Sequence, residues 1–465
     1  MTELRRIGRH AGTILVGQLA VMAFGVADTV IAGRHSDAAL AALSVGSAMY
    51  ISVYVGLMGV LQALLPIWSE MLGARRHEAV GRSLRQSLYL CGFIGALGMA
   101  VLLFPGPLLR WAQVPGSMQD EVQRYLAVLA FAFVPSLLFK LYATFNQSLG
   151  KPRLVTWLQL AALGIKIPLS LWWVAGGAGV PAMGAVGCAW ATLAVNYLLL
   201  GLALVMLRTQ SLYHPFSLWQ RVERPDWRQL RAFLRLGIPG GLAYLVEVTS
   251  FTLMALFIAR LGTTASASHQ IAASLAAVLY MMPLSMAVAC SARVSFWLGA
   301  GRPDHARNVV FMGLRATALI AIAFAALIFI AGKLLASAYS TSPEVVALAS
   351  SLLVWVAVYH MADALQALCA FLLRCYRITL APLALYGLLL WGLGLYGGYQ
   401  LAYVGLAGLP PTQAASSFWA ASTFAIALVA GCLLGLLLHA VRRSQLAAGR
   451  ALRLAQADGP APPGK

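Results

Sequence analysis

The sequence predicts an all-α membrane protein with twelve membrane-crossing helices in two related six-helix halves. Three observations carry this. Of 465 residues, 61% are apolar and only 10% are charged. A water-facing surface of that size needs roughly a quarter of the residues charged. The apolar residues fall in long runs, and one helix needs about 20 such residues to cross a bilayer. The basic residues alternate from loop to loop. The same composition excludes a disordered chain, a coiled coil and a secreted disulfide scaffold.

The apolar runs place helices near 11–33, 44–68, 86–104, 122–145, 154–175, 184–207, 236–260, 268–292, 309–331, 346–372, 380–403 and 417–440. The opening Glu3-Leu4-Arg5-Arg6 precedes an apolar run too long for a signal peptide and without a clear cleavage box, so a retained first helix is expected. The longest connection, 208–235, holds Arg208, Arg221, Arg224, Arg228, Arg231 and Arg235 and reads as the linker between halves. The expected division is therefore a first lobe over 1–207, the linker 208–235, a second lobe over 236–440 and a cytoplasmic tail over 441–465. After Arg453 that tail, ending in Gly459-Pro-Ala-Pro-Pro-Gly-Lys465, reads as disordered.

A net charge of +19 suggests nucleic acid in a soluble protein. Here it follows the membrane instead. With the N-terminus inside, 26 of the 33 Lys and Arg fall in cytoplasmic segments, five fall outside, and Lys140 and Lys166 fall within spans. Such a bias orients a membrane protein with both termini cytoplasmic. The six cysteines lie in or beside apolar runs, with no CxxC and no zinc spacing, and read as small core residues.

The halves resemble each other. Leu72-Gly73-Ala74 recurs as Leu298-Gly299-Ala300, and Lys151 and Arg377 keep the same spacing of 226 residues. An even number of spans per half makes a parallel repeat about an axis along the membrane normal, with a substrate cavity expected between the halves.

Of fourteen acids, three lie deep in spans: Asp28 in the first, Glu247 in the seventh and Asp363 in the tenth. Each buried charge costs at least ~2.5–3.5 kcal/mol, so such residues face a cavity, bind a cation or hold a proton. Each heads a polar stripe at helical spacing: Gln18, Met22, Gly25 and Asp28; Gly240, Tyr244, Glu247 and Ser250; Tyr359, His360, Asp363 and Gln366. Hydrogen-bonded cross-linking of helices is the alternative reading of each acid. Lys166, on a stripe with Gln159, Ser170 and Trp173 in the fifth span, is too deep to reach water easily. It needs an acid partner; a structural ion pair and a functional role are both open. His269, His360, Met281-Met282 and the tryptophans read first as packing or interfacial residues.

Several segments together resemble the multidrug and toxic compound extrusion (MATE) transporters of the bacterial NorM type, over residues 8–440. They are Gly237-Ile238-Pro239 leading to Glu247, Ser268-His269-Gln270-Ile271-Ala272, Met282-Pro283-Leu284-Ser285, Arg293-Val294 and Leu298-Gly299. In the first half, Gln18, Asp28, Gly33 and Leu40-Ala41-Ala42 match, and in the second Asp363-Ala364-Leu365-Gln366, Leu373-Arg374, Tyr376, Trp391 and Gly398-Tyr399. The resemblance implies alternating access and export of cationic amphiphiles, driven by inward sodium or protons, in the bacterial inner membrane. It implies coupling residues Glu247, Asp363, Tyr359 and Asp28, with a sodium site at Glu247 and Asp363. The substrate cavity expected from the polar stripes and these segments is lined by Asp28, Gln18, Lys166, Ser170, Tyr244, Gln270, Met282 and Gln366. No cofactor beyond the coupling ion, no nucleic acid and no enzymatic activity are expected; a monomer in contact with lipid is.

The chain departs from the family where Asn is usual at Lys166 and Ser170, and where Cys375, Ile378 and Tyr396 replace Gly, Asp and Pro. The ammonium of Lys166 is expected to pair with Asp28 and take the space of a bound cation. Coupling would then rest mainly on Glu247 and Asp363. A lipid-linked precursor flippase is the alternative, with Lys166 as thin support. A membrane lipid enzyme would want a His, Asp or Arg cluster at one face, which the sequence lacks. It also lacks a Walker A sequence.

Overall fold

A computed structural model describes residues 3–111, 115–177, 179–405 and 410–457. Twelve helices among them are long and apolar enough to cross a membrane. They are α1 (Glu3–His35), α2 (Asp37–Gly73), α3 (His77–Leu103), α4 (Met118–Ser148), α5 (Arg153–Ala175), α6 (Ala185–Thr209), α7 (Trp227–Ala259), α8 (Thr263–Gly299), α9 (Pro303–Tyr339), α10 (Pro343–Cys375), α11 (Leu380–Val404) and α12 (Ala415–Arg450). Each contains its predicted span to within a residue, and most run past it. The excess is polar helix that hydropathy cannot see but capping favours. Ser36 caps α2 by accepting from the Ala39 amide at 3.1 Å, and prolines open α9 and α10, where a missing N–H costs nothing.

Two expected boundaries move for this reason. α7 begins at Trp227 rather than 236, because Asp226 Oδ1 accepts from the amides of Arg228 at 3.0 Å and Gln229 at 3.2 Å. Arg228, Arg231 and Arg235 therefore sit on a helix, not in a linker. The last helix continues to Ala457, four residues past Arg453; the rest of the tail, 458–465, lies outside the described residues.

The repeat is visible at the turns. Arg75 (φ 58°) and Gly301 (φ 69°) hold the same left-handed conformation after α2 and α8. The amides of Arg76 and Arg302 each close the turn at 2.9 Å, on the carbonyls of Met71 and Trp297. The next pair of turns differs by one residue from the sequence spacing. Gly150 (φ 69°) corresponds to Arg377 (φ 62°), with Lys151 N bonded to Asn146 O and Ile378 N to Leu373 O. Lys151 is thus the counterpart of Ile378, not of Arg377.

By contact, the chain divides into two compact units. The first comprises Gly8–Leu72 and Arg76–Leu256, so most of α7 groups with the first six helices. α4 is its centre, packed on α2, α3 and α6, with α5 against α6. Trp68 meets Phe145 edge-on at 5.7 Å and donates to Ser83 at 3.0 Å. The short 3₁₀ turn Ser211–Phe216 inserts Tyr213 and Phe216 into this core, and the Tyr213 hydroxyl donates to Asn146 at 2.8 Å. The following segment is tied to α3. Buried Arg85 holds the Glu223 carboxylate through two nitrogens and donates to Ser217 O at 2.7 Å. Gln86 donates to Arg224 O at 3.0 Å and accepts from the Asp226 amide at 2.9 Å.

α2 and α7 approach each other on glycine. A Cβ at Gly59 would lie 2.7 Å from Gly241 Cα, and one at Gly241 would lie 2.4 Å from Gly56 O. Small residues permit this backbone contact, as at helix crossings in membranes generally.

The second unit comprises the described residues within Met1–Ile7, Gly73–Arg75 and Phe257–Lys465. α10 packs on α8, α9 and α12, and α11 on α12. Glu3 accepts from Arg293 Nε at 2.9 Å and Trp297 Nε1 at 2.8 Å. α11 is wound wide, with i→i+5 bonding over Tyr386–Tyr396 and Gln400–Val404.

Candidate functional site

Three helices of the first unit build a buried polar cluster inside an apolar core. Asp28 on α1, Lys166 and Ser170 on α5, and Thr192 and Cys188 on α6 meet there. On each helix the participating positions are four apart and so share a face. Lys166 Nζ donates to Asp28 Oδ1 at 3.0 Å, to Asp28 Oδ2 at 2.8 Å and to Thr192 Oγ1 at 2.8 Å. An ammonium has three protons, and all three have acceptors. Ser170 Oγ donates to Asp28 Oδ1 at 3.1 Å, and Thr192 Oγ1 donates to Cys188 O at 2.9 Å. The Phe24 ring, one turn before Asp28, lies 5.8 Å from Nζ, within cation–π range.

The expected Lys166–Asp28 ion pair is therefore present. Lys166 is 1% exposed and the Asp28 side chain 11%. Two ions buried in apolar surroundings lose more solvation than simple attraction restores unless further hydrogen bonds complete the geometry. Ser170 and Thr192 supply those bonds.

The second unit holds a different arrangement. Asp363 and Gln366, one turn apart on α10, are buried, and Gln366 Nε2 donates to Asp363 Oδ1 at 3.0 Å. The Tyr386 hydroxyl, from the wide-wound part of α11, donates to Gln366 Oε1. The carboxamide orientation follows, since its oxygen takes the phenol proton and its nitrogen serves the acid. Ion pairs among the described residues include Arg82 and Arg85 with Glu223, Lys166 with Asp28 and Arg293 with Glu3. The contact to Asp363 is instead the neutral carboxamide of Gln366. Buried Tyr359, one turn earlier, meets Trp419 edge-on at 5.9 Å, and His269 lies 5.8 Å from the same indole.

The other sequence-predicted residues are placed as follows. Tyr244 is buried and Glu247 half-buried on α7 in the first unit; Gln18 is half-buried on α1. On α8, Met282 is buried and Gln270 exposed. Thus Asp28, Lys166 and Ser170 come together in one unit, and Asp363 and Gln366 in the other. Sequence reading missed Thr192, Phe24 and Tyr386. Thr192 sits in an ordinary apolar run, and only its spacing of four from Cys188 hints at a shared face. Tyr386 carries no signal short of the contact itself.

Outside the spans, Glu223 is the strongly perturbed acid. Its hydrogen bonds from Arg85 hold its carboxyl down to about 2, with the Arg85 and Arg82 charges adding to the effect.

Comparison with known proteins agrees with this architecture. The MatE family model matches residues 13–172 and 239–399, one stretch in each half. A probable multidrug resistance protein NorM of Aromatoleum aromaticum is 38% identical over 438 residues, 94% of each chain. The multidrug resistance protein PmpM of Pseudomonas aeruginosa is 33% identical, over 86% of this chain and 84% of its own. Among solved structures, MATE in the straight conformation aligns with TM-score 0.85 at 15% identity, over 95% of this chain and 97% of its own. Vibrio cholerae VcmN in the bent form aligns at 0.81 with 18% identity, over 95% of this chain and 98% of its own. Those two likenesses concern the fold alone. With the family model matching both halves and relatives this similar along most of their length, the chain belongs to the MATE family: it is a twelve-helix multidrug efflux transporter and not an enzyme.

Proposed function

We propose that the protein is a cation-coupled antiporter that exports lipophilic cationic compounds by alternating access, with both termini cytoplasmic. The observation that carries this reading is the unequal provision for two buried acids. Asp28 has a resident ammonium, whereas Asp363 is met by a neutral carboxamide. A buried carboxylate without a fixed counter-charge favours a proton or a metal cation. An exchangeable coupling ion, sodium or proton, therefore belongs at Asp363, with Tyr359 one turn before it on α10.

The energetics are sufficient. One positive charge moving inward releases ~2.3 kcal/mol per 100 mV, which sustains roughly a fiftyfold substrate gradient. Export of a monovalent cation against one entering cation cancels that electrical gain, so the ion's concentration gradient or a stoichiometry above one must then supply the work. Tyrosines, methionines and buried acids along the polar stripes favour planar lipophilic cations through cation–π contact and apolar burial.

The test is efflux of a cationic dye from proteoliposomes under a sodium gradient alone, then a proton gradient alone. One of the two is expected to drive efflux, and to fail to do so in Asp363→Asn. Efflux that persists with both gradients collapsed and ATP present would contradict the reading.

A further inference from the structure

We infer that Lys166 is a specificity-determining residue: a tethered cation that competes with cationic substrates for Asp28 and weakens their hold at the first-unit site. The inference rests on the reading of the protein as an exporter of cations, and it deepens that reading.

The pair is asymmetric in access. The ammonium is 1% exposed while the carboxylate side chain is 11% exposed, so the acid forms the reachable edge and the base stands behind it. A guest arriving at that edge meets a carboxylate whose charge is already answered. Both Asp28 oxygens accept from Nζ, and Oδ1 also accepts from Ser170. A permanent cation can form its own ion pair with Asp28 only by breaking bonds to Nζ. That would leave a buried ammonium with Thr192 and the Phe24 face as its remaining partners, which is costly. A neutral guest that needs only an acceptor meets no such penalty. Lys166 thus lowers the site's preference for charge without removing its hydrogen-bonding capacity, and keeps a transported cation from being trapped by an unpaired buried acid.

The experiment measures equilibrium binding to the purified full chain in lipid nanodiscs. The probes are tetraphenylphosphonium, a permanent lipophilic cation, and triphenylphosphine oxide, a neutral molecule of similar shape. Lys166→Gln removes the charge while keeping a donor for Asp28; Lys166→Met removes both, so that one folded variant suffices. The expected result is tetraphenylphosphonium binding tighter by about tenfold or more, the size of one charge-assisted hydrogen bond, with the neutral probe unchanged. Lys166→Arg is expected to bind like the wild type, and adding Asp28→Asn to either neutral variant is expected to remove the gain. A merely structural role for Lys166 would shift both probes together or neither. Unchanged cation affinity in a folded Lys166→Gln or Lys166→Met protein, or a gain that survives Asp28→Asn, would overturn the inference. Absent cation efflux by the wild type, with the binding gain intact, would instead count against the proposed function.

Discussion

Gln366 donates to Asp363 at 3.0 Å with a neutral N–H, and the same carboxamide accepts the Tyr386 proton. This arrangement holds the acid in place without cancelling its charge. The corresponding positions of the other half are built differently. By the register of the Gly150 and Arg377 turns, Asp363 corresponds to Ser136 and Lys166 to Leu393. The acid that keeps its charge available and the acid that carries its own counter-ion are thus local inventions on a duplicated scaffold. The proposed ion exchange belongs to the former.

The Lys166–Asp28 pair predicts a non-additive stability cycle. Lys166→Ala or Asp28→Ala alone strands a buried charge, with an expected loss of about 3–5 kcal/mol. The double variant removes both charges and is expected to be more stable in detergent than either single one. Thermal unfolding of the four proteins checks this; additive losses would show that the two residues do not interact.

Glu247→Gln and Asp363→Asn are each expected to abolish gradient-driven efflux while leaving a monodisperse protein. Asp363→Asn keeps the size of a side chain that Gln366 already contacts through a neutral carboxamide, so its stability is expected to fall by no more than about 1–2 kcal/mol. Efflux assays paired with melting curves separate loss of function from loss of fold.

The Arg85–Glu223 tie predicts acid sensitivity in the segment before α7. The Glu223 carboxyl is held at about 2, below its ordinary 4.5. A depressed folded-state value means the unfolded chain binds protons first. The stabilisation is therefore full above about 4.5 and is lost as pH falls towards about 2. Melting curves of wild type and Glu223→Gln are expected to differ at neutral pH and to converge at the acid end. A constant difference across that range would remove the tie from the account.

Close backbone approach makes the α2–α7 crossing intolerant of bulk. Gly59→Val or Gly241→Val places side-chain carbon where backbone already lies, 2.7 Å or 2.4 Å away. An overpacked site typically costs about 1–3 kcal/mol. Reduced yield and melting temperature are expected for both, whereas Gly8→Val, with nothing within 4 Å, is expected to behave as wild type.

Much of this molecule was legible in its sequence, because the bilayer enforces simple rules. Apolar run length fixed twelve helix cores, and the depth of Asp28 and Lys166 demanded a partner for each. Asp226 at the start of α7 carries a readable cap signal, Pro225-Asp226-Trp227, that hydropathy alone passes over. What escaped was lateral: which α6 residue faces Lys166, and which α11 residue reaches Gln366. Thr192 and Tyr386 are identified only when helices distant in sequence are packed, and apolar periodicity says little where lipid and core are both apolar. The one-residue shift between Lys151 and Arg377 was hidden for a similar reason, since both are basic residues in equivalent turns.

The most direct test of the division of labour between the two acids is gradient-driven dye efflux in a single proteoliposome series. It compares wild type, Asp363→Asn, and the doubly neutral Asp28→Asn with Lys166→Gln. The account predicts efflux by the wild type and by the doubly neutral protein, and none by Asp363→Asn. Efflux lost in the doubly neutral protein but retained in Asp363→Asn would contradict it.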